Sequence, residues 1–364
     1  MKGLWKKAFL DHRALLAVVL AYCAAVLVEA VYCNVPPGNL AHILGYIFMS
    51  ATLGFVFLSC LYVAAFARFF AGGEGAFIPR WKAASARLDL VARAYFESGR
   101  WPYALFAFFC TLGDCFFFIA KSLINTVNPY VEAAWDKTFA AWDKALHFGM
   151  YPHEFIIPAV NALGAGRLLD FFYAFWLVVM LLVACYNVFA DDLVHRRLRY
   201  LWTHFLSWVF LGTIGATWLS SVGPLFAHDF FPGDPDVYAS LRENLESLSA
   251  GGFVFASETR QLLLDWAHND RIFDPNALSA MPSMHLAIGW LMVLYARQFT
   301  RTVFAVACVF FGLVCLGSVY FGFHYAIDAY VSVVFVSFVW YAAGKIIDKS
   351  HARDERLSEM RHEA

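Results

Sequence analysis

An all-α fold, a polytopic membrane helix bundle with about eight transmembrane helices, is what this sequence predicts, and three observations carry that prediction. Hydrophobic residues make up 61% of the 364 positions and charged residues only 15%, more apolar surface than a water-soluble domain can bury. Apolar runs long enough to cross a bilayer recur along the whole chain. Lys and Arg gather in alternate connections between those runs. The net charge of −1 offers nothing to a polyanion, and no nucleic-acid partner is expected.

The runs lie near 14–32, 43–70, 101–120, 169–189, 203–222, 282–299, 302–322 and 326–344. The first follows a basic start and resembles a secretory signal, but no small-x-small cleavage site precedes the second run, so it reads as a retained helix. From the end of the second run to the start of the third come six basic residues, Arg68 to Arg100, expected to rest on anionic headgroups. The eight cysteines sit in or beside the runs and form neither a disulfide framework nor a zinc spacing. With the N-terminus inside, 20 of the 27 basic residues fall on the cytoplasmic side, together with the C-terminus. The chain divides into residues 1–100 (two helices and a basic loop), 101–346 (a six-helix core) and 347–364 (a cytoplasmic tail).

Two long segments are then extracytoplasmic. In the first, 122–168, the run Ala133-Ala134-Trp135-Asp136-Lys137 returns one heptad later as Ala140-Ala141-Trp142-Asp143-Lys144. That spacing puts Trp135 and Trp142 on one face, as expected of an amphipathic connector lying in the interface. The second, 224–281, carries nine acidic residues against Arg242, Arg260 and Arg271. Its charge fits a flap over a membrane site or a plain solvated loop.

The chemistry concentrates in two stretches at the outer face. In Ala280-Met281-Pro282-Ser283-Met284-His285, Pro282 is expected at the first helical position. The amides of Ser283, Met284 and His285 would then lack partners and form an anion site beside a hydroxyl and an imidazole. In Gly317-Ser318-Val319-Tyr320-Phe321-Gly322-Phe323-His324-Tyr325-Ala326-Ile327-Asp328, His324 and Asp328 share a helical face, so the carboxylate can orient the imidazole as a nucleophile. No third ligand stands at metal spacing, and neither metal nor cofactor is expected.

These stretches resemble the type 2 phosphatidate phosphatase superfamily, whose members typically carry K-x6-R-P, P-S-G-H and S-R-x5-H-x3-D. Pro282-Ser283-Met284-His285 is similar to the second motif, and His324-x3-Asp328 to the third, about forty residues apart. The likeness covers the third to eighth runs and implies a phosphatase-like six-helix core. Gly223 and Ala216 stand where the first motif has its Arg and Lys, and Ser318 where the third has its Arg. The same loss of cations, with Asp143-Lys144-Ala145-Leu146-His147-Phe148-Gly149 and Gly223-Pro224, resembles the branch of inositol phosphorylceramide synthases and sphingomyelin synthases. A singly charged diester needs fewer cations than a dianion.

The resemblance implies a phosphohistidine on His324, oriented by Asp328, with His285 as acid and base and with Ser283, Met284, Pro282 and Ser318 around the phosphoryl group. The implied substrate is a membrane phospholipid or polyprenyl phosphate, the acceptor a lipid, an alcohol or water, and the implied place the plasma (inner) membrane. A phosphatase is the alternative; a non-catalytic lipid-binding protein or transporter is the rival of another class. Oligomeric state is left open. The topology has a direct check in a cysteine-depleted background: a cysteine at Gly233 should react with an impermeant reagent from outside and one at Arg197 only from inside. Reaction of position 197 from outside inverts the arrangement.

Overall fold

The structure, a computed structural model, describes residues 2–33, 39–98, 100–127, 135–189, 193–268 and 278–362. Ala133, Ala134, Asp270, Arg271 and Asp274 of the segments above lie outside the described residues. All regular structure among those described is helical: α1 (Lys2–Tyr32), α2 (Asn39–Ala71), α3 (Phe77–Glu97), α4 (Arg100–Leu112), α5 (Cys115–Val127), α6 (Asp136–Leu146), α7 (Pro152–Ala162), α8 (Gly166–Phe189) and α9 (Val194–Ser207) come first. After α9 the chain runs through a π-helical stretch, Trp208–Gly215, and a last turn, Ala216–Trp218. Then follow α10 (Ala227–Phe230), α11 (Ala239–Ala250), α12 (Phe255–His268), α13 (Met284–Ala296), α14 (Arg301–Tyr320) and α15 (Ile327–His362).

Four helices among the described residues are long and apolar enough to cross a membrane: Gly3–Tyr32, Gly166–Phe189, Arg301–Tyr320 and Ile327–Lys349. They coincide with four of the eight expected runs. Large apolar side chains such as Leu20, Val306, Val334 and Phe338 stay exposed along them, the surface a lipid-facing helix presents. Residues 43–70 fall within the 33-residue α2. The other three runs are built differently.

Run 101–120 is two helices with a turn at Gly113–Asp114. A Cβ at Gly113 would lie 2.6 Å from Val19 Cγ1 and 2.9 Å from Phe205 Cε2, so only glycine lets α1 and α9 close on the turn. The break also turns Asp114 towards His204, 2.7 Å from its Nε2. Run 203–222 is the end of α9, the π-helical stretch and an extended segment.

Run 282–299 holds α13, whose 13 residues reach only about 20 Å, short of a hydrocarbon core. Leu286, Ala287, Ile288, Leu291 and Val293 are all buried, because α13 packs against α8, α9, α14 and α15 at once. A helix apolar on every side is a span in lipid or a helix surrounded by others, and periodicity does not separate the two. The basic segment 68–100 contains α3, which leaves Phe77, Ile78, Trp81 and Leu90 exposed beside its charges. Arg80 turns back to donate to the Phe70 carbonyl from Nε at 3.2 Å and from Nη2 at 2.8 Å.

Candidate active site

The site forms where three irregular stretches meet: residues 219–226 after the last turn of α9, residues 278–283 before α13, and residues 321–326 between α14 and α15. Each leaves backbone groups that no helix satisfies, and buried carboxylates supply the acceptors. Asp136, at the start of α6, accepts from the amides of Val222 (3.0 Å) and Gly223 (2.8 Å) and from the Tyr325 hydroxyl (2.6 Å). Asp143, two turns along the same face, accepts from the amides of Ala326 (2.9 Å) and Ile327 (2.8 Å), the first of α15. Burial pushes both carboxyls above the usual carboxylate range, and the donated N–H bonds pull back the other way.

The heptad repeat therefore does its structural work through its aspartates. Trp135 and Trp142, the residues on which an interfacial face was expected, lie on the outer side at 37% and 51% exposure. The signal was in the sequence: the repeat that aligns two tryptophans aligns two acids as well.

At the centre, His324 Nδ1 lies 2.6 Å from the carbonyl oxygen of Ala280. A carbonyl can only accept, so Nδ1 carries a proton and, in the neutral imidazole, Nε2 holds the lone pair. Asp328 stands 3.6 Å from the same Nδ1 through Oδ2, and its Oδ1 accepts from the Ser283 amide at 3.1 Å. The carboxylate expected to orient His324 thus adds charge at ion-pair distance, while a backbone carbonyl takes the hydrogen bond. Asp328 is fully buried, and its Oδ2 has no hydrogen bond among the described residues.

The ring of His285 lies 5.6 Å from that of His324, centroid to centroid. It is held by α8, stacked on Tyr173 (4.8 Å, interplanar angle 7°) and against Trp176 (4.3 Å). His285, His324 and Asp328, predicted together from two separate stretches, are together. No grouping of three or more His, Cys, Asp or Glu suited to a metal ion occurs among the described residues.

The four further residues of the expected site lie along the start of α13 and the end of α14. Pro282 is not the first helical residue: Ser283 is the N-cap of α13, its hydroxyl accepting from the Leu286 amide at 3.3 Å. Pro282 lies one position before the cap, packed on Gly215, where a Cβ would sit 3.1 Å from its ring. The Ser283 amide is engaged by Asp328, which leaves those of Met284 and His285 as the first-turn donors. Ser318 is buried; its hydroxyl donates along α14 to the Cys315 carbonyl at 2.8 Å, and its own carbonyl accepts from the His324 amide at 3.4 Å.

Gly223 shows why its position carries no cation. Its φ is +91°, and a Cβ there would lie 2.9 Å from both Ala280 Cβ and Phe323 O, leaving no room for a side chain. Gly322, at φ +72°, is likewise covered, since a Cβ would strike Leu241 of α11 at 2.6 Å.

The acidic segment is thereby packed onto the site. Asp170 of α8 accepts from the amides of Phe255 and Ala256, each at 2.8 Å. Arg167 donates to the carbonyls of Leu248 (3.0 Å) and Phe253 (3.1 Å). Of its acids, Asp234 pairs with Lys137, Asp236 with Arg242 and Asp229 with Arg260.

Two histidines and a buried carboxylate thus meet at the start of an enclosed helix in a helical membrane protein. The chain belongs to the PAP2 superfamily: the model of that family matches residues 137–342, more than half of its length. Members of the superfamily are phosphatases and phosphotransferases, and membership supports a membrane enzyme acting on lipid phosphates. The match starts at α6, later than the residue 101 at which the expected core begins. No curated protein and no solved structure matches the chain.

The carboxylate of Asp143 has a measurable worth. Asp143→Ala strips one buried and one half-buried amide of their acceptor and should cost on the order of 2 kcal/mol in thermal unfolding in detergent. Asp143→Asn, which keeps one acceptor oxygen, should lose less.

Proposed function

We propose that this protein transfers the phospho-headgroup of a membrane phospholipid to a lipid or alcohol acceptor at the outer face, in the manner of the inositol phosphorylceramide synthases. One observation carries the reading: His324 presents a lone pair on Nε2 because the Ala280 carbonyl holds Nδ1 at 2.6 Å, with a second imidazole 5.6 Å away.

His324 Nε2 attacks phosphorus, and protonated His285 gives its proton to the departing oxygen, leaving a phosphohistidine and neutral His285. The acceptor hydroxyl gives its proton to His285 and attacks the same phosphorus, which breaks the P–N bond and restores both imidazoles. Asp328, 3.6 Å from Nδ1, balances the positive charge that builds on His324. The first amides of α13, those of Met284 and His285, face the non-bridging oxygens. The scheme uses no metal.

Transfer of a diester is favoured over hydrolysis of a monoester by the absence of side-chain cations at Ala216, Gly223 and Ser318, since Gly223 has no room for one. Hydrolysis of a lipid or polyprenyl phosphate by the same two steps, with water as acceptor, is the second reading, which the known activities of the superfamily favour. Purified protein given labelled phospholipids with and without alcohols decides between them: a new phospholipid means transfer, and free phosphate means hydrolysis. No turnover leaves the non-catalytic lipid-binding protein.

The histidines separate by leaving group. His324→Ala should abolish any covalent phosphoenzyme. His285→Ala should slow alkoxide-leaving substrates by roughly a hundredfold or more, yet still form phosphoenzyme from a phenol-leaving substrate, which departs without a proton. Asp328→Asn should fall between. Phosphoenzyme kept in His324→Ala and lost in His285→Ala exchanges the two roles.

A further inference from the structure

The described part of α5 carries one basic residue, Lys121, and no helix partner accounts for it. Phe117, Lys121 and Ile124 stand at i, i+4 and i+7 and share a face of α5. That face is turned inward. Phe117 meets Trp208 at a centroid distance of 4.3 Å, and Ile124 packs on Ala216, so the face runs along the π-helical stretch.

The start of α13 closes on the same stretch. A Cβ on Gly212 would lie 2.7 Å from Phe117 Cε2 on one side and 3.2 Å from Met284 Sδ on the other. Lys121, one turn beyond Phe117, thus emerges beside the first turn of α13, where its ammonium acts electrostatically on His285. Among the described residues it has neither a hydrogen bond nor a carboxylate partner. A snorkelling lysine runs out along a lipid-facing surface, but the neighbours of Lys121 on its own face are buried, at 7% for Phe117 and 1% for Ile124. An unpaired ammonium in such a place is expensive unless an anion joins it.

We infer that Lys121 binds the phosphoryl group of the substrate, its ammonium pairing with a non-bridging oxygen while the amides of Met284 and His285 take up the rest. This inference rests on the reading of the site as a phosphoryl-transfer centre. It adds a substrate class: one ammonium matches the single negative charge of a phosphodiester. The lysine stays protonated throughout and takes no part in bond making. Its helix lies outside the part of the chain that matches the superfamily, residues 137–342. Ile124, the next residue on its face, packs on Ala216, so this cation arrives from α5 beside a position of α9's last turn that has none to offer.

Full-length wild type, Lys121→Met and Lys121→Arg in detergent test this with two readouts, phosphodiester turnover and vanadate affinity measured by protection against thermal unfolding. Lys121→Met should lower kcat/KM and vanadate affinity together by roughly tenfold or more, with Lys121→Arg recovering much of both. The ligand-free unfolding temperature of Lys121→Met should be unchanged or higher, because an unpaired charge between buried neighbours has been removed. Lys121→Gln carries the same readouts should the Met variant not fold. Vanadate affinity and turnover at wild-type values in the Met or Gln variant overturn the assignment, while an active wild type leaves the transfer reading standing. A wild type inactive on every phosphodiester, with vanadate affinity still lost on substitution, sinks the transfer reading and keeps Lys121 as the oxyanion ligand.

Discussion

Irregular backbone inside a membrane protein must find hydrogen-bond partners in the protein itself, and in this chain three aspartates provide them. Asp136 serves residues 222 and 223, Asp143 serves 326 and 327, and Asp328 serves 283. Without these acceptors the three stretches would have to continue as helix, and a helix places consecutive side chains around an axis rather than gathering them at a point. The two histidines lie 5.6 Å apart because the chain leaves helical geometry at three places and is held there by carboxylates. Burial raises the cost of ionising Asp136 and Asp143, and the amides that they accept from offset it.

Much of this was legible in the sequence, and the rest was hidden for definite reasons. Runs such as 169–189 and 302–322 are apolar along a spanning length, and each is one helix. Residues 282–299 are just as apolar, but α13 is short and enclosed, and composition cannot tell a lipid neighbour from a protein one. The meeting of His285 with His324 could be expected because the charge pattern assigns both motifs to one side of the membrane. The Ala280 carbonyl could not, since a backbone acceptor leaves no trace in residue type. Asp136 and Asp143 were visible as a repeat yet were overshadowed by the tryptophans beside them.

The electrostatics follow from steric limits. Gly223 is wedged between Ala280 and Phe323, so this position cannot hold the side chain that would reach a phosphate. Ser318 spends its hydroxyl on its own helix. What remains for an anion is the polarity of a buried helix start, two imidazoles, and whatever charge other helices bring in. On the transfer reading proposed above, such a site takes a ligand of low charge, because the field of a helix terminus is worth far less than an arginine fork.

The two aspartates of α6 sit seven residues apart on a short rigid rod, a separation of about 10.5 Å along its axis. That rod works as a ruler: it sets the distance between the segment at 222–223 and the start of α15, and neither can move without dragging the other. One residue inserted between Asp136 and Asp143 would swing the second acid about 100° round the axis and release one segment altogether. Trp135, the residue before the rod, and Trp142 repeat the same spacing on its outer side, at 37% and 51% exposure.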